Sequence, residues 1–404
     1  MKPALQTLVL AALLYCPLAQ AGTIPVRPEP ADSLEKALAE AKEGDVLLLA
    51  AGVYRGSFSV GTGITLKGAG DRESEVRGTD YATFELAGER IRIQNLAVTG
   101  GTNTRRAVSG HFCSVRIENC RFDGIAEAVA LRGCPLSDVI CCTFKNCGIG
   151  VRAIGRSSPT VWGCRFEGGN WGVFCMDGTP YVRNCLFHAQ RRQGVGLFRT
   201  MGAIVRNNLF LDASQNGVFT GRGFGGSIRN NIFHACGNAA VAGENCVTHN
   251  ILSRIPNPPV QDGAGTPLKD SDQTNQVADL SIALDEQGRV KIPETPGMAK
   301  GIRDAWQARG AAARIGFETP GFQPGSAVHL SSAPPARFTE PYVVNGVAEE
   351  YACLAMWEMQ PRRQSLTSSD GKHCDEIEAM QGTKTVLLRF DIHRFFGESD
   401  MDSR

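Results

Sequence analysis

One six-residue unit recurs eight times between residues 93 and 252, and it restricts this chain to very few folds. The copies read IQNLAV (93–98), IENCRF (117–122), VICCTF (139–144), VWGCRF (161–166), VRNCLF (182–187), VRNNLF (205–210), IRNNIF (228–233) and VTHNIL (247–252). From one terminal apolar residue to the next, Val98 through Leu252, the steps are 24, 22, 22, 21, 23, 23 and 19 residues. A second short run follows most copies: AVAL (128–131), GVRA (150–153), GVFC (172–175), GVGL (194–197), GVFT (217–220) and AVAG (240–243). Each unit therefore holds at least two strands of alternating polarity separated by Gly, Asn or Cys turns, with no room for a ten-residue helix. Such a unit buries its inward face only by stacking on its neighbours. The L-x-x-L-x-L frame of a leucine-rich repeat is absent. A coil of about 22 residues with three short strands fits, which makes the chain all-β and the fold a right-handed parallel β-helix.

Abundant glycine (46 residues) and sparse aromatics (7%) suit many turns and thin side-chain layers. At the start, Asp32-Ser33-Leu34-Glu35 reads as a helix N-terminus, and Leu34, Ala37, Leu38 and Ala41 recur at helical spacing. Gly44-Asp45 ends that helix and Val46–Leu49 begins a strand. Residues 33–70 resemble the N-terminal helical cap and first coil of the pectin-lyase-like superfamily, and the VRNNLF…NGVF units resemble its β-helix repeats. This resemblance spans residues 30 to 320. It implies the fold and leaves function open, because that superfamily includes lyases, hydrolases, epimerases and non-catalytic surface proteins.

Four segments follow. Residues 1–21 read as a signal peptide, with Lys2, the apolar run Leu8 to Leu14 and the small-x-small site Ala19-Gln20-Ala21. That run is too short to span a bilayer, no later segment is apolar enough to do so, and the expected location is secreted or periplasmic. Residues 22–319 form the β-helix, closing on the stretch 278–318. Residues 320–336 read as a linker, and residues 337–404 as a small C-terminal domain with strands at Tyr342–Val344 and Thr385–Phe390.

The net charge of +1 hides a segregation. Residues 90–254 carry 19 Lys and Arg against 8 Asp and Glu, whereas residues 22–89 carry 7 against 12 and residues 256–404 carry 15 against 21. The basic excess points to an anionic partner, with a merely solvated surface as the bland alternative. Arg183, Arg206 and Arg229 hold the same place in three successive units, alternating with inward Val182, Val205 and Ile228, and Arg199 and Arg222 form a shorter column. Planar guanidinium groups in a row suit the carboxylates of a uronic-acid polymer. Nucleic acid fits the charge, but export and the lack of interleaved exposed aromatics argue against it.

Asp123, Lys145, Glu167, His188 and His234 share one position across the units and form the nearest approach to a catalytic strip. Lys145, His188 or His234 would act as base in a β-elimination, with cations stabilising the enolate. Asp123 and Glu167, two coils or about 9.6 Å apart, have the separation of an inverting glycosidase pair, but Lys145 lies between them, so elimination ranks above hydrolysis. The Asn-Thr-Asp and Asp-Asp signatures that the resemblance would carry for polygalacturonases are absent from the coils. Calcium needs several converging acids and the sequence offers few, so no cofactor is expected, with calcium as the weakly supported alternative.

The fourth position of each copy is Leu96, Cys120, Cys142, Cys164, Cys185, Asn208, Asn231 and Asn250, one expected inward column. A straight row cannot close a tetrahedral zinc site, so these cysteines are read as buried thiols. Cys353 and Cys374 lie outside the coils and are the disulfide candidates. Two functions remain open at this point: binding, with cleavage or modification, of an acidic polysaccharide, or a non-catalytic envelope or surface scaffold.

Overall fold

A computed structural model describes residues 22–30, 33–71, 73–229, 231–243, 247–248, 250–256, 259–262, 266, 275–277, 279, 282–284, 290–291, 342–343, 360–369, 372–381 and 384–391. Residues 1–21, expected to be a signal peptide, most of the stretch 278–318 expected to close the helix, the expected linker 320–336 and Cys353 lie outside the described residues.

The repeat winds as a right-handed parallel β-helix of about ten turns, and every ladder of its three long sheets is parallel, while Ala283–Leu284 and Val290–Lys291 pair antiparallel in the closing stretch. Sheet I has eleven strands, from Thr23–Val26 to Val247–Thr248. Sheet II has eleven, from Gly52–Arg55 to Gln276–Val277, and sheet III ten, from Phe58–Val60 to Val260–Gln261. Each coil visits sheets I, II and III in that order. One helix, Ser33–Glu40, buries Leu34 in the core between the first two strands of sheet I; it is a single two-turn element, not the helical cap expected from the sequence.

The register explains the sequence period. On sheet II, Phe122, Phe144, Phe166, Phe187, Phe210 and Phe233 face inward and stack with centroids 4.7–5.0 Å apart and planes within 10°. That spacing is the spacing of neighbouring strands, so the coil sets the stack. The stack also explains the GV dipeptides of sheet III. A Cβ on Gly150, Gly172, Gly194 or Gly217 would sit 2.3–2.6 Å from a ring carbon of Phe166, Phe187, Phe210 or Phe233. Sheets I and III contribute branched columns, including Val161, Val182 and Val205, and Val173, Val195 and Val218, all fully buried.

From Asn95 onward the turn from sheet I to sheet II is two residues long. Its first residue is left-handed: Asn95, Asn119, Cys141, Gly163, Asn184 and Asn207 have φ of 52–62°. Asparagine and glycine adopt this region at least cost. Its second residue is the predicted inward column. The Asn231 amide donates to the Val205 and Arg229 carbonyls and to Asn250 Oδ1, each at 3.0 Å, while its Oδ1 accepts from Asn208 N (2.9 Å) and Nδ2 (3.0 Å). In the thiol half of the column each sulfhydryl donates to the carbonyl that an amide would reach. Cys120 reaches Ile93, Cys142 Ile117, Cys164 Val139 and Cys185 Val161, at 3.3–3.6 Å. The two halves join where Cys185 N donates to Asn208 Oδ1 at 2.9 Å.

At the C-terminal end, Gln360–Ser369, Lys372–Gln381 and Lys384–Asp391 form an antiparallel sheet, with Tyr342–Val343 parallel to the last. Ile377, Ala379 and Leu388 are buried in it. Both strands expected from the sequence in this segment are present.

Candidate functional site

On the outer face of sheet II the strip is in register: Asp123, Lys145, Glu167, His188, Leu211 and His234 are successive partners. Its chemistry is divided. Arg121 holds Asp123 at 3.0 Å and Arg165 holds Glu167, each pair formed within one strand. His188 Nε2 lies 3.7 Å from Asp212 Oδ2. His234 is only 5% exposed, with Nδ1 3.0 Å from Ser253 Oγ. Burial, assisted by Arg254, depresses its pKa. Leu211, 2% exposed, separates the two histidines. Lys145 and His188 are thus the accessible ends of a three-coil patch, about 9.6 Å apart along the backbone, whereas His234 stands apart from them.

The predicted arginine column is in register on sheet I, where Trp162, Arg183, Arg206 and Arg229 are successive partners. Its surroundings differ from the open track expected. Arg183 is 1% exposed and Arg206 7%. The Arg183 guanidinium lies 5.1 Å from the Trp162 ring centroid and 5.8 Å from that of Tyr181, and Arg206 is 5.8 Å from Tyr181. Cation–π stacking of this kind satisfies much of a guanidinium's face. The alternation therefore gave the direction of these side chains and not their exposure. Column and strip also occupy different sheets, with the two-residue turns at 184–185 and 207–208 between them, so they do not line one groove. Arg199 and Arg222 sit at the corner following sheet III. Arg199 is exposed, left-handed and paired with Asp177 at 2.8 Å, and Arg222 is exposed.

A cleft of about 280 Å³ opens elsewhere on sheet I, lined by Arg90, Arg92, Arg116, Leu136, Asp138 and Thr160 among others. Its charges largely compensate one another: Arg90 pairs with Glu43, and Arg116 reaches Glu118 (2.6 Å) and Asp138 (3.6 Å). Burial raises the Asp138 pKa against the pull of Arg116.

Sheet III carries a feature the sequence reading missed. Trp171, Phe174, Phe198 and Phe219 form a half-buried cluster on its outer face. Phe174, Gly196 and Phe219 are successive partners in the ladder. Trp171 meets Phe174 edge-on at 5.5 Å, Phe198 lies 5.2 Å from Phe174 and 5.4 Å from Phe219, and Gly196 is the floor on which Trp171 rests. The statement that exposed aromatics are lacking is thereby corrected. The signal was present, because Phe174 and Phe219 each follow an inward valine and must point outward.

The thiols divide in two. Burial pushes Cys120, Cys142 and Cys164 well above the usual thiol range. At the corner following sheet III, Cys113 and Cys134 are buried with their Sγ atoms 3.5 Å apart. Among the described residues no three His, Cys, Asp or Glu side chains converge as a metal site would require, and no helix is long and apolar enough to cross a membrane.

Residues 127–266 match the family model described as a right handed beta helix region. No curated protein matches the chain by sequence. Among solved structures the chain is similar to the PL6 family alginate lyase AlyGC, at 13% identity over 80% of this chain and 60% of that one, with a TM-score of 0.39. It is also similar to an alginate lyase from Paenibacillus sp. str. FPU-7 (18% identity, 63% of this chain and 95% of that one, TM-score 0.43). A third is a mannuronic acid specific polysaccharide family 6 lyase from human gut microbiota (12%, 64% and 83%, TM-score 0.45). The chain spans less than two thirds of the length of the first of these. Coil register, asparagine column and the family match over residues 127–266 together identify the fold as a right-handed parallel β-helix.

Proposed function

We propose that this is an exported protein whose coil stack binds an acidic, uronic-acid-containing polysaccharide. The observation that carries the reading is the charge segregation: the coils over residues 90–254 carry 19 basic against 8 acidic side chains, whereas the first coils, over residues 22–89, carry 7 against 12. Inward positions in these coils are apolar or amide, so the basic side chains decorate the outside of a rod. A polyanion laid along a rod meets a cation at nearly every coil, and long-range attraction raises its capture rate.

A second reading, cleavage by β-elimination, rests on the Lys145–Glu167–His188 patch. A base there would remove the proton next to a uronate carboxyl, the neighbouring arginines would stabilise the enolate, and its collapse to a carbon–carbon double bond would break the glycosidic C–O bond and release the leaving oxygen to take a proton from water or a protonated side chain. Binding without cleavage is favoured because both carboxylates of the strip are occupied by arginines of their own strands and His234 is buried. Affinity electrophoresis in gels containing pectate, alginate or a glycosaminoglycan tests the first reading, and absorbance of unsaturated products tests the second. Retardation without product is expected. Migration unchanged by every polyanion would remove the proposal and leave the non-catalytic scaffold.

A further inference from the structure

We propose that the outer face of sheet III, across the strands Trp171–Met176, Gln193–Phe198 and Asn216–Thr220, is a sugar-stacking platform that seats the polysaccharide chain. The proposal rests on the acidic-polysaccharide reading above and gives it a location.

Four aromatic side chains leave part of their area in water although neighbouring positions of the same strands are fully buried. Leaving contiguous apolar area exposed costs about 25 cal/mol per Å², and a cluster of this kind on a soluble surface marks a binding face. The geometry is that of a shelf. Phe174 and Phe219 stand two coils apart, about 9.6 Å along the axis, with Gly196 between them in the ladder. The missing side chain at Gly196 lets Trp171 lie down across the middle coil, since a Cβ there would come within 2.1 Å of its Cζ3. Phe198 closes the far side against Phe174 and Phe219.

Pyranose rings present flat faces of polarised C–H groups, which the negative face of an aromatic ring attracts. The charges at the rim specify which pyranose. Arg152 is the ladder partner of Phe174 and shares Glu127 with Arg106, at 3.6 and 2.8 Å, so two cations face one carboxylate. Arg132, Arg191, Arg192 and Arg222 are exposed in or beside the turns bordering the face. An apolar shelf inside a cationic rim fits a chain whose rings stack and whose carboxylates reach outward. It does not fit a neutral glycan, which would leave the rim idle, or an apolar partner, which would bury it.

The test is calorimetric titration of the full-length protein with alginate and pectate oligosaccharides and with a neutral glucan oligosaccharide. The variants are Phe174→Ala and Phe219→Ala, each with unchanged circular dichroism, and Gly196→Ala, which removes no aromatic but displaces the Trp171 ring. Affinity for an acidic oligosaccharide is expected to fall about tenfold in the Phe174→Ala/Phe219→Ala double variant and measurably in Gly196→Ala, with no binding of the neutral glucan. Wild-type binding that the double variant retains within twofold overturns the platform and leaves the polysaccharide reading intact. No binding of any acidic oligosaccharide by wild type overturns both. Equal affinity for the neutral glucan, or self-association that the double variant abolishes, assigns the face to another occupant and overturns it as well.

Discussion

Replacing Asn231 by Ala removes the middle of the amide column and should be among the most damaging single changes in the coils. The Asn231 side chain is fully buried and takes part in five hydrogen bonds of 2.9–3.0 Å. Its loss leaves Asn208 N without its acceptor and the Val205 carbonyl without its side-chain donor, while Asn208 Nδ2 keeps the Val182 carbonyl and Asn250 Oδ1 keeps Asn231 N. A buried polar group without a partner costs about 1–3 kcal/mol, although water entering the small void offsets part of that. The stranded N–H, together with the four further side-chain bonds lost, gives an expected loss of about 3 kcal/mol. The comparison is Cys164→Ala in the thiol half, where the side chain donates weakly to Val139 (3.3 Å) and Trp162 (3.4 Å) and its sulfur is only a weak acceptor for the Cys142 backbone N–H. There the loss should be about 1 kcal/mol, the cost of a small void. Urea unfolding of the two variants, with m-values checked for equality, reads the difference. If Asn231→Ala is no worse than Cys164→Ala, the amide column does not hold the coils together and its role here is wrong.

Gly194→Ala would place a methyl group 2.5 Å from Phe210 Cδ1 and 2.8 Å from the Gly217 carbonyl; overpacking should cost about 1–3 kcal/mol in the same urea assay. Cys120, Cys142 and Cys164 should resist a thiol reagent in the native protein and react fully once unfolded, as peptide mapping after labelling would record; rapid native labelling contradicts their burial. Cys164→Asn should be tolerated within about 1 kcal/mol, because the Val139 carbonyl that receives the thiol stands where Val182 receives the Asn208 amide. His234 has a folded pKa below its unfolded value of about 6.5, so its neutral form is the one the fold favours. Its contribution is full above that unfolded value and is lost as pH falls towards the folded pKa. His234→Gln should therefore flatten the acid limb of a stability–pH curve, and an unchanged limb would assign the acid sensitivity to other groups.

The coil register was legible because period-two alternation and a recurring six-residue unit at steps of 19 to 24 residues leave one way to stack the copies. Phe122 to Phe233, the thiol and amide column and the ladder from Asp123 to His234 all follow from it. Exposure was not legible, because alternation says which side of a sheet a residue faces and nothing about what lies against it. Arg183 points outward and is nonetheless buried beside Trp162 and Tyr181. The paired state of Asp123 and Glu167 was within reach, since Arg121 and Arg165 stand two positions earlier on the same face. The aromatic shelf required comparing second strands across coils, where Gly196 looks unremarkable in one dimension and makes room for Trp171 in three.

The most direct test of the proposed function is the salt dependence of binding to alginate or pectate. A polyanion held by the exposed arginines of the coils releases its counterions on binding, so the logarithm of the association constant should fall linearly with the logarithm of salt concentration. A steep negative slope for an acidic polymer, together with no measurable binding of a neutral glucan, is the predicted result. A flat slope, or no binding at low salt, would contradict it.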